Sequence, residues 1–262
     1  MIPFSSFWQG GFEGADFVTR DGKRLAMVNA NGHLNQIIND YTALKACGIT
    51  TVRETAGWRL CDTEQGYDFR TVRRRMVAAK ETGIQICWTV SHYGWPESTD
   101  LFEENFVPRF ARFCEALAGF LAPWYDRPPV YSPVNEISFS SWAIAVGFIP
   151  CQRVPDNAAG EEAKKQWVRA AIAGCDAIWR ADPRARILHC DPIIHITSAL
   201  QEPDTEALAR AEANKQYQAW DMLSGRLEPE LGGLPATWTS LGPTITTTIS
   251  GSFLPTIGCT GT

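Results

Sequence analysis

Apolar side chains recur every three or four residues in several segments of the chain, and each of these segments leads into a short apolar run. A first helix is predicted from Leu34 to Leu44; Gly48 ends it, and a strand follows at residues 49–53. A second helix around residues 69–79 ends at Gly83, and the continuous apolar run 84–90 follows it. Runs of this kind are typical of parallel strands that are buried on both faces.

The alternation continues through the middle of the chain. A helix at residues 106–120 precedes a strand at 130–135, and a helix at 168–179 precedes a strand at 186–191. A fifth helix is predicted from about Thr205 to Leu223, and the chain opens on a strand around residues 4–11.

Five strands alternating with five helices favour a parallel α/β fold, but a (β/α)8 barrel and a doubly wound sheet both fit this periodicity. The sequence has neither the glycine-rich fingerprint of dinucleotide-binding folds nor a P-loop, which leaves nucleotide binding without its main support.

Polar side chains stand at the end of nearly every predicted strand. Gln9 and Glu13 follow the first, Arg53 and Glu54 end the second, Ser91 and His92 the third, Asn135 and Glu136 the fourth, and His189, Asp191 and His195 surround the fifth. Because the carboxyl ends of barrel strands meet at one rim, we expect these side chains to share a pocket. Aromatic residues lie within a few positions of the same strand ends, namely Trp8, Trp58, Tyr93, Trp95 and Trp142.

A pocket that combines carboxylates, amides and flat aromatic walls suits a sugar. Each residue alone also has an ordinary structural explanation: His92 could cap a loop, and Arg53 could only neutralise Glu54. Their shared position at one rim favours the functional interpretation.

Charge and cysteine content exclude several classes of partner. The net charge is −5, and the densest basic run, at residues 70–75, is short, which argues against nucleic acid as a partner. The eight cysteines form no C-x-x-C pair and are expected to be reduced core residues, so neither a disulfide framework nor a metal or other cofactor is predicted. No signal peptide or run of 18 apolar residues is found, so we expect a cytoplasmic protein without a membrane partner.

Several motifs, taken in order, resemble the retaining β-glycosidases of the (β/α)8 clan whose fourth strand ends in Asn-Glu, especially the β-glucosidase-like glycoside hydrolases. SPVNEISF (132–139) resembles the fourth-strand motif, TVSHYGWP (89–96) the third-strand segment, and TVRETAGWRLCDTEQGYDF (51–69) the second-strand region. FWQGGFEG (7–14) meets the first-strand pattern loosely. The resemblance covers about residues 4–233 and favours the barrel over the doubly wound sheet.

The resemblance implies that Glu136 is the general acid/base and that Asn135 binds the 2-hydroxyl of the sugar. It also implies that His92 contacts the sugar and that Arg53 lies beside the nucleophile. Further expected substrate contacts are Gln9, Glu13, Trp95 and Trp142. A retaining mechanism requires two carboxyl groups about 5–5.5 Å apart. The clan's nucleophile is a glutamate at the end of strand seven and is expected beyond residue 262.

The composition changes abruptly after residue 235. Residues 236–262 contain no charged residue and nine threonines. A threonine-rich linker is one explanation, and an edge strand is a second. Another is a frameshift near Gly233, because one permitted choice of codons, read two bases later, encodes an Asn-Tyr-Tyr segment like the sixth strand of β-glucosidase-like relatives. We therefore expect residues 1–235 to form the N-terminal portion of a glycoside hydrolase barrel, with about five βα units, followed by a frameshifted or disordered tail. Such a chain is expected to be inactive.

Two other functions remain open from the sequence. One is a barrel that binds sugars without cleaving them, in which Glu136 only accepts a hydrogen bond from a hydroxyl. The other is a metal-dependent hydrolase that uses His189, Asp191 and His195, although this spacing is a weak signal for a metal site.

Overall fold

The computed structural model describes residues 4–198 and 203–234, and within them one parallel sheet organises the fold. Its five strands lie side by side in chain order: β1 (Gln9–Gly11), β2 (Thr51–Thr55), β3 (Gln85–Ser91), β4 (Val130–Val134) and β5 (Arg186–Ile187). All four neighbouring pairs are parallel. This arrangement confirms the predicted α/β fold, an incomplete (β/α)8 barrel whose sheet is not closed within the described residues.

Helices connect the strands and cover the outer face of the sheet. The longer ones are α1 (His33–Ala46), α2 (Arg70–Thr82), α3 (Phe106–Leu121), α4 (Ile137–Ala145), α5 (Asn157–Ala181), α6 (Pro203–Asn214) and α7 (Gln218–Leu223). Short α-helices span Met27–Ala30 and Trp58–Cys61, and 3₁₀ turns span Ala122–Trp124, Lys215–Tyr217 and Pro229–Leu231. Two small antiparallel hairpins pair Asp16–Val18 with Arg24–Ala26 and Asp62–Thr63 with Gly66–Tyr67. None of the helices in the described part of the chain is long and apolar enough to cross a membrane.

Local sequence signals explain where the main helices begin and end. Gly83 stops α2 in a left-handed conformation (φ 75°), which glycine adopts without steric cost. Asp156 caps the start of α5, where its Oδ1 accepts a hydrogen bond of 2.7 Å from the Ala159 amide. The same helix ends before Asp182-Pro183, because a proline disfavours the helical conformation in the residue that precedes it.

The packing of α3 against α5 forms much of the core. Phe106, Phe110 and Trp167 are fully buried there, with edge-on contacts between their rings. A Cβ atom at Gly174 would lie 3.0 Å from the sulfur of Cys114, so this glycine allows the two helices to approach closely. Burying each such aromatic side chain stabilises the fold by roughly 1.5–3 kcal/mol.

The first and fifth units differ from the sequence prediction. The opening strand is only β1, because hydroxyl contacts replace strand pairing before it: Ser5 and Ser6 donate from their amides to Thr51 Oγ1 at 3.0 and 3.1 Å. After the two residues of β5 the chain still follows β4, and Cys190 pairs with Asn135 through an isolated bridge.

The predicted fifth helix is also interrupted, at Lys215–Tyr217. At this break, Gln216 binds the Ile194 backbone, accepting from its amide at 3.0 Å and donating to its carbonyl at 3.2 Å.

Candidate active site

Arg53 and Glu54 point to opposite faces of β2, because successive side chains of a strand alternate. Glu54 lies under the helices, where His33 Nε2 donates to it at 2.8 Å, Tyr41 at 2.7 Å and Arg75 at 3.0 Å. Burial opposes its ionisation, but the hydrogen bond from His33 and the charge of Arg75 outweigh burial and lower the pKa of Glu54. The structure therefore removes Glu54 from the pocket and gives it a structural role.

Arg53 lies on the inner face of the curved sheet. Cys87 and Cys190 belong to a small buried cluster on this face. Burial opposes the charge of Arg53, yet the neighbouring Cys190, Cys87 and Glu136 raise its pKa. Arg53 is therefore a permanent cation that acts electrostatically on Glu136.

Glu136 lies between β4 and α4 in a left-handed conformation (φ 47°, ψ 66°), which is uncommon for a residue with a side chain. Its amide donates to the Cys190 carbonyl at 3.0 Å, and its own carbonyl accepts from Ser140 at 2.9 Å in the first turn of α4. The residue is 9% exposed. These contacts fix the turn from strand to helix, so the backbone holds the carboxyl group at the rim.

Tyr93 connects the side chains of the Asn135-Glu136 pair. Its hydroxyl donates a hydrogen bond to Glu136 Oε2 and accepts one of 3.1 Å from Asn135 Nδ2. The sequence drew attention to Tyr93 only as one aromatic near a strand end. No spacing rule would have found this contact, because it joins the loops after two different strands.

His92 is buried beside the same pair and stays neutral near neutral pH. Its Nδ1 lies 3.1 Å from Thr55 Oγ1, and its Nε2 lies 3.7 Å from Oε1 of the exposed Glu13. Burial and the charge of Arg53 lower the pKa of His92 to about 3. A neutral imidazole here can exchange hydrogen bonds with a hydroxyl without repelling or neutralising other charges.

Asp191 follows β5 and lies against the start of α4. Ser138 donates to it twice, from its amide at 2.9 Å and from its hydroxyl at 2.8 Å. Burial raises the pKa of Asp191 to about 7, with a smaller contribution from the charge of Glu136, while the Ser138 bonds oppose the shift. The charge of the Glu136 carboxyl group thus acts on Asp191 at this rim.

His189 and His195, the other two candidate metal ligands, do not complete a metal site with Asp191. His189 is buried, which lowers its pKa to about 4, whereas His195 is exposed. Within residues 4–198 and 203–234, no three His, Cys, Asp or Glu side chains are grouped so that they could hold a metal ion.

The remaining expected contacts lie at different distances from this rim. Strand register places Gln9 opposite Thr51, the first residue of β2, and therefore at the amino ends of the strands. Trp95 is 9% exposed and packs edge-on against Phe106 and Trp167, which places it in the core. Trp142, on α4, is 48% exposed. The structure thus brings together Arg53, His92, Asn135 and Glu136, with Glu13 beside them, and does not bring Gln9 to the same edge.

Solved structures match this fold, although no protein-family model matches the sequence and the comparison with curated proteins gives no match. A β-glucosidase from Thermotoga maritima in complex with glucoimidazole has a TM-score of 0.70 and 13% identity, over 87% of this chain and 58% of that chain. A family 1 β-glucosidase from the same organism has a TM-score of 0.66 and 15% identity, over 90% and 60%. The AHE enzyme from Alicyclobacillus herbarius has a TM-score of 0.68 and 15% identity, over 88% and 54%.

The chain has the fold of the N-terminal part of family 1 β-glucosidases. It spans 54–60% of the length of the three solved chains described above. At 13–15% identity this likeness establishes the fold alone.

Proposed function

We propose that this sequence encodes part of a glycoside hydrolase that cleaves β-O-glycosidic bonds with retention, in the manner of a β-glucosidase. The observation that carries the proposal is the position of Glu136: a carboxyl group at the end of β4, beside Asn135, in a barrel of the β-glucosidase fold. In this proposal Glu136 is the general acid that protonates the leaving oxygen and then the base that activates water.

The proposed sugar site consists of residues with distinct tasks. Arg53 supplies positive charge, neutral His92 exchanges hydrogen bonds with hydroxyls, and Asn135 binds the 2-hydroxyl. Oδ1 of Asn135 is buried without a hydrogen-bond partner among the described residues, a state that costs about 1–3 kcal/mol and that a sugar hydroxyl would relieve. Glu13 and Trp142 are the proposed contacts at the exposed rim. We leave Gln9 and Trp95 out of this set, because one lies at the amino edge of the sheet and the other in the core.

The nucleophile is proposed to belong to a seventh strand, whereas the described residues form a five-stranded sheet. Residues 236–262, proposed to arise from a shifted reading frame, lie outside the described residues. We refer to the product of the frame that continues the barrel after residue 233 as the extended chain. The proposal assigns hydrolysis to the extended chain and expects none from the 262-residue chain. It keeps the cytoplasmic location expected from the sequence.

Hydrolysis of 4-nitrophenyl β-D-glucoside by the extended chain tests this function. We expect turnover with retention of the anomeric configuration, and loss of that turnover by about 10²-fold or more in Glu136→Gln. Glu104→Gln is the matched control, because Glu104 is exposed on the loop before α3 and the change is chemically the same. Equal activity in the two variants would refute the assignment of Glu136 as the general acid/base.

One observation favours a second function for the 262-residue chain itself, namely sugar binding without cleavage. Both oxygens of Asp191, the buried carboxyl group that follows β5, accept hydrogen bonds from Ser138. Asp191 is therefore poorly placed to act as a substitute nucleophile. Calorimetric titration of the purified chain with glucoimidazole tests this function: a binder would retain most of its affinity in Glu136→Gln, losing about one hydrogen bond.

A further inference from the structure

We propose that Tyr93 is a positioning residue for Glu136: its hydroxyl holds Oε2, so that Oε1 is the oxygen that carries the transferable proton. The catalytic part of this inference rests on the proposed function, because it assumes that Glu136 donates a proton to a substrate. The contact itself belongs to the 262-residue chain and can be measured without turnover.

The direction of the hydrogen bonds follows from the groups involved. A phenol has one proton to donate, whereas the amide nitrogen of Asn135 can only donate. Since Asn135 Nδ2 donates to the Tyr93 oxygen at 3.1 Å, the Tyr93 proton is free to point at Glu136 Oε2. Asn135 thus donates to Tyr93, and Tyr93 in turn donates to Oε2 of the Glu136 carboxyl group.

The backbone around Tyr93 is held firmly enough to aim this hydroxyl. Tyr93 adopts a positive φ of 78°, which is uncommon for a residue with a bulky side chain. The Asp16 amide donates to the His92 carbonyl at 3.0 Å, and a Cβ at Gly94 would lie 2.0 Å from the Asp16 carbonyl oxygen. The turn thus lies so close to the Asp16 backbone that only glycine fits at position 94, directly after Tyr93.

The ring of Tyr93 is clamped as well. It packs edge-on against His92, with ring centroids 4.6 Å apart, and in a tilted arrangement against Phe139 of α4, with ring centroids 5.0 Å apart. Tyr93 as a whole is 9% exposed. A strained backbone and a buried ring cost folding free energy, and they are typical of sites where a side chain must keep one orientation.

Several charged groups face the Tyr93–Glu136 pair. Arg53 on β2 and Asp191 after β5 interact with Glu136, while Glu13, after β1, interacts with Tyr93. Burial and the charge of Glu136 raise the pKa of Tyr93 far above its ordinary value. Tyr93 therefore keeps its proton near neutral pH and acts towards Glu136 only as a hydrogen-bond donor.

This contact has a chemical consequence for proton transfer. When Glu136 acts as an acid, its Oε1–H bond breaks, a new O–H bond forms on the glycosidic oxygen, and the negative charge remains on the carboxylate. The bond from Tyr93 strengthens as that charge develops, because hydrogen bonds to ionised acceptors are stronger than those to neutral ones. Tyr93 itself exchanges no proton.

Carboxyl-carbon NMR of the purified 262-residue chain, labelled at glutamate, tests the inference. The Glu136 signal is assigned by its loss in Glu136→Gln, and its titration midpoint is then compared between the unsubstituted chain and Tyr93→Phe. Removing a donor to the charged form should move the midpoint upward by about one pH unit. Tyr131→Phe is the matched control: Tyr131 is fully buried and its hydroxyl has no hydrogen-bond partner among the described residues, so the same deletion there should leave the midpoint unchanged.

An unchanged midpoint in folded Tyr93→Phe would overturn the inference. If that variant does not fold, the unsubstituted chain labelled at the tyrosine ring carbon bonded to oxygen decides the question. The Tyr93 signal should then shift at the same pH as the Glu136 carboxyl, and the absence of that inflection would overturn the inference instead. A shifted midpoint together with an extended chain that lacks hydrolysis would leave the contact established and refute the proposed function alone.

Discussion

Arg75 is expected to be one of the most costly side chains to remove, although it lies outside the candidate active site. It is fully buried on α2, and its Nη1 donates to Glu54 at 3.0 Å and to the Thr55 carbonyl at 2.6 Å. Its guanidinium also stacks over the ring of Trp88, 4.9 Å from the centroid. Arg75→Met keeps a flexible side chain of similar length and removes only the charge and the donors.

The expected loss follows from what remains behind. In Arg75→Met, Glu54 keeps the hydrogen bonds from His33 and Tyr41 but loses the permanent cation of Arg75. Breaking a buried ion pair by removing one partner costs about 3–5 kcal/mol. Because native domains are stable by only about 5–15 kcal/mol, this change should remove a large part of the free energy of unfolding. The loss should be smaller at pH 5 than at pH 8, since a carboxyl group buried without this cation can then take up a proton.

Urea unfolding followed by circular dichroism measures this free energy. Arg73→Met on the exposed side of the same helix is the matched control and should stay within about 0.5 kcal/mol of the unsubstituted chain. If Arg75→Met cost no more than Arg73→Met, or if its cost did not depend on pH, Glu54 would not be held as a buried ion pair and our account of β2 would be wrong.

The histidines and Asp191 provide further tests. In a histidine-labelled NMR titration, His33 should titrate above pH 6.5, because burial opposes its charge but its bonds to Glu54 and Asp40 raise its pKa, whereas His92 and His189 should stay neutral to about pH 3 and about pH 4. The contribution of His33 to stability is then present below pH 6.5 and is lost as the pH rises through its folded midpoint. The contributions of His92 and His189 are present above pH 6.5 and are lost as the pH falls. A single shared midpoint near 6.5 would contradict the burial of all three. Asp191→Ala should lower the free energy of unfolding in urea by about 0.5–2 kcal/mol, because it removes the acceptor for the first turn of α4. Asp191→Asn should cost less, because an amide oxygen can still accept from Ser138. Equal costs would mean that the hydrogen bond from Ser138 does not contribute to stability.

The middle of the barrel could be predicted from the sequence because local signals coincide there. Strands β2, β3 and β4 lie within two residues of their predicted positions, since each short apolar run follows an amphipathic helix, and a glycine marks the end of the helices before β2 and β3. β5 is shorter than predicted: after Ile187 an isolated bridge joins Cys190 to Asn135, and Asp191 accepts from Ser138 of α4. Contacts of this kind leave no period in a sequence.

The site could be predicted only in outline. Polar residues at strand ends identified Arg53, His92, Asn135 and Glu136, because a parallel fold brings those ends together. Tyr93 could not be assigned a role, since its contact depends on the positive φ of a single turn. The network around Glu54 could not be predicted either, because His33 and Arg75 reach it from two separate helices.

The most direct test of the proposed function is the rate at which the extended chain hydrolyses 4-nitrophenyl β-D-glucoside, with the anomer of the released glucose followed by proton NMR. We expect measurable hydrolysis that releases the β-anomer first and that is lost in Glu136→Gln but kept in Glu104→Gln. A folded extended chain without hydrolysis, or one whose hydrolysis survives Glu136→Gln, would contradict it.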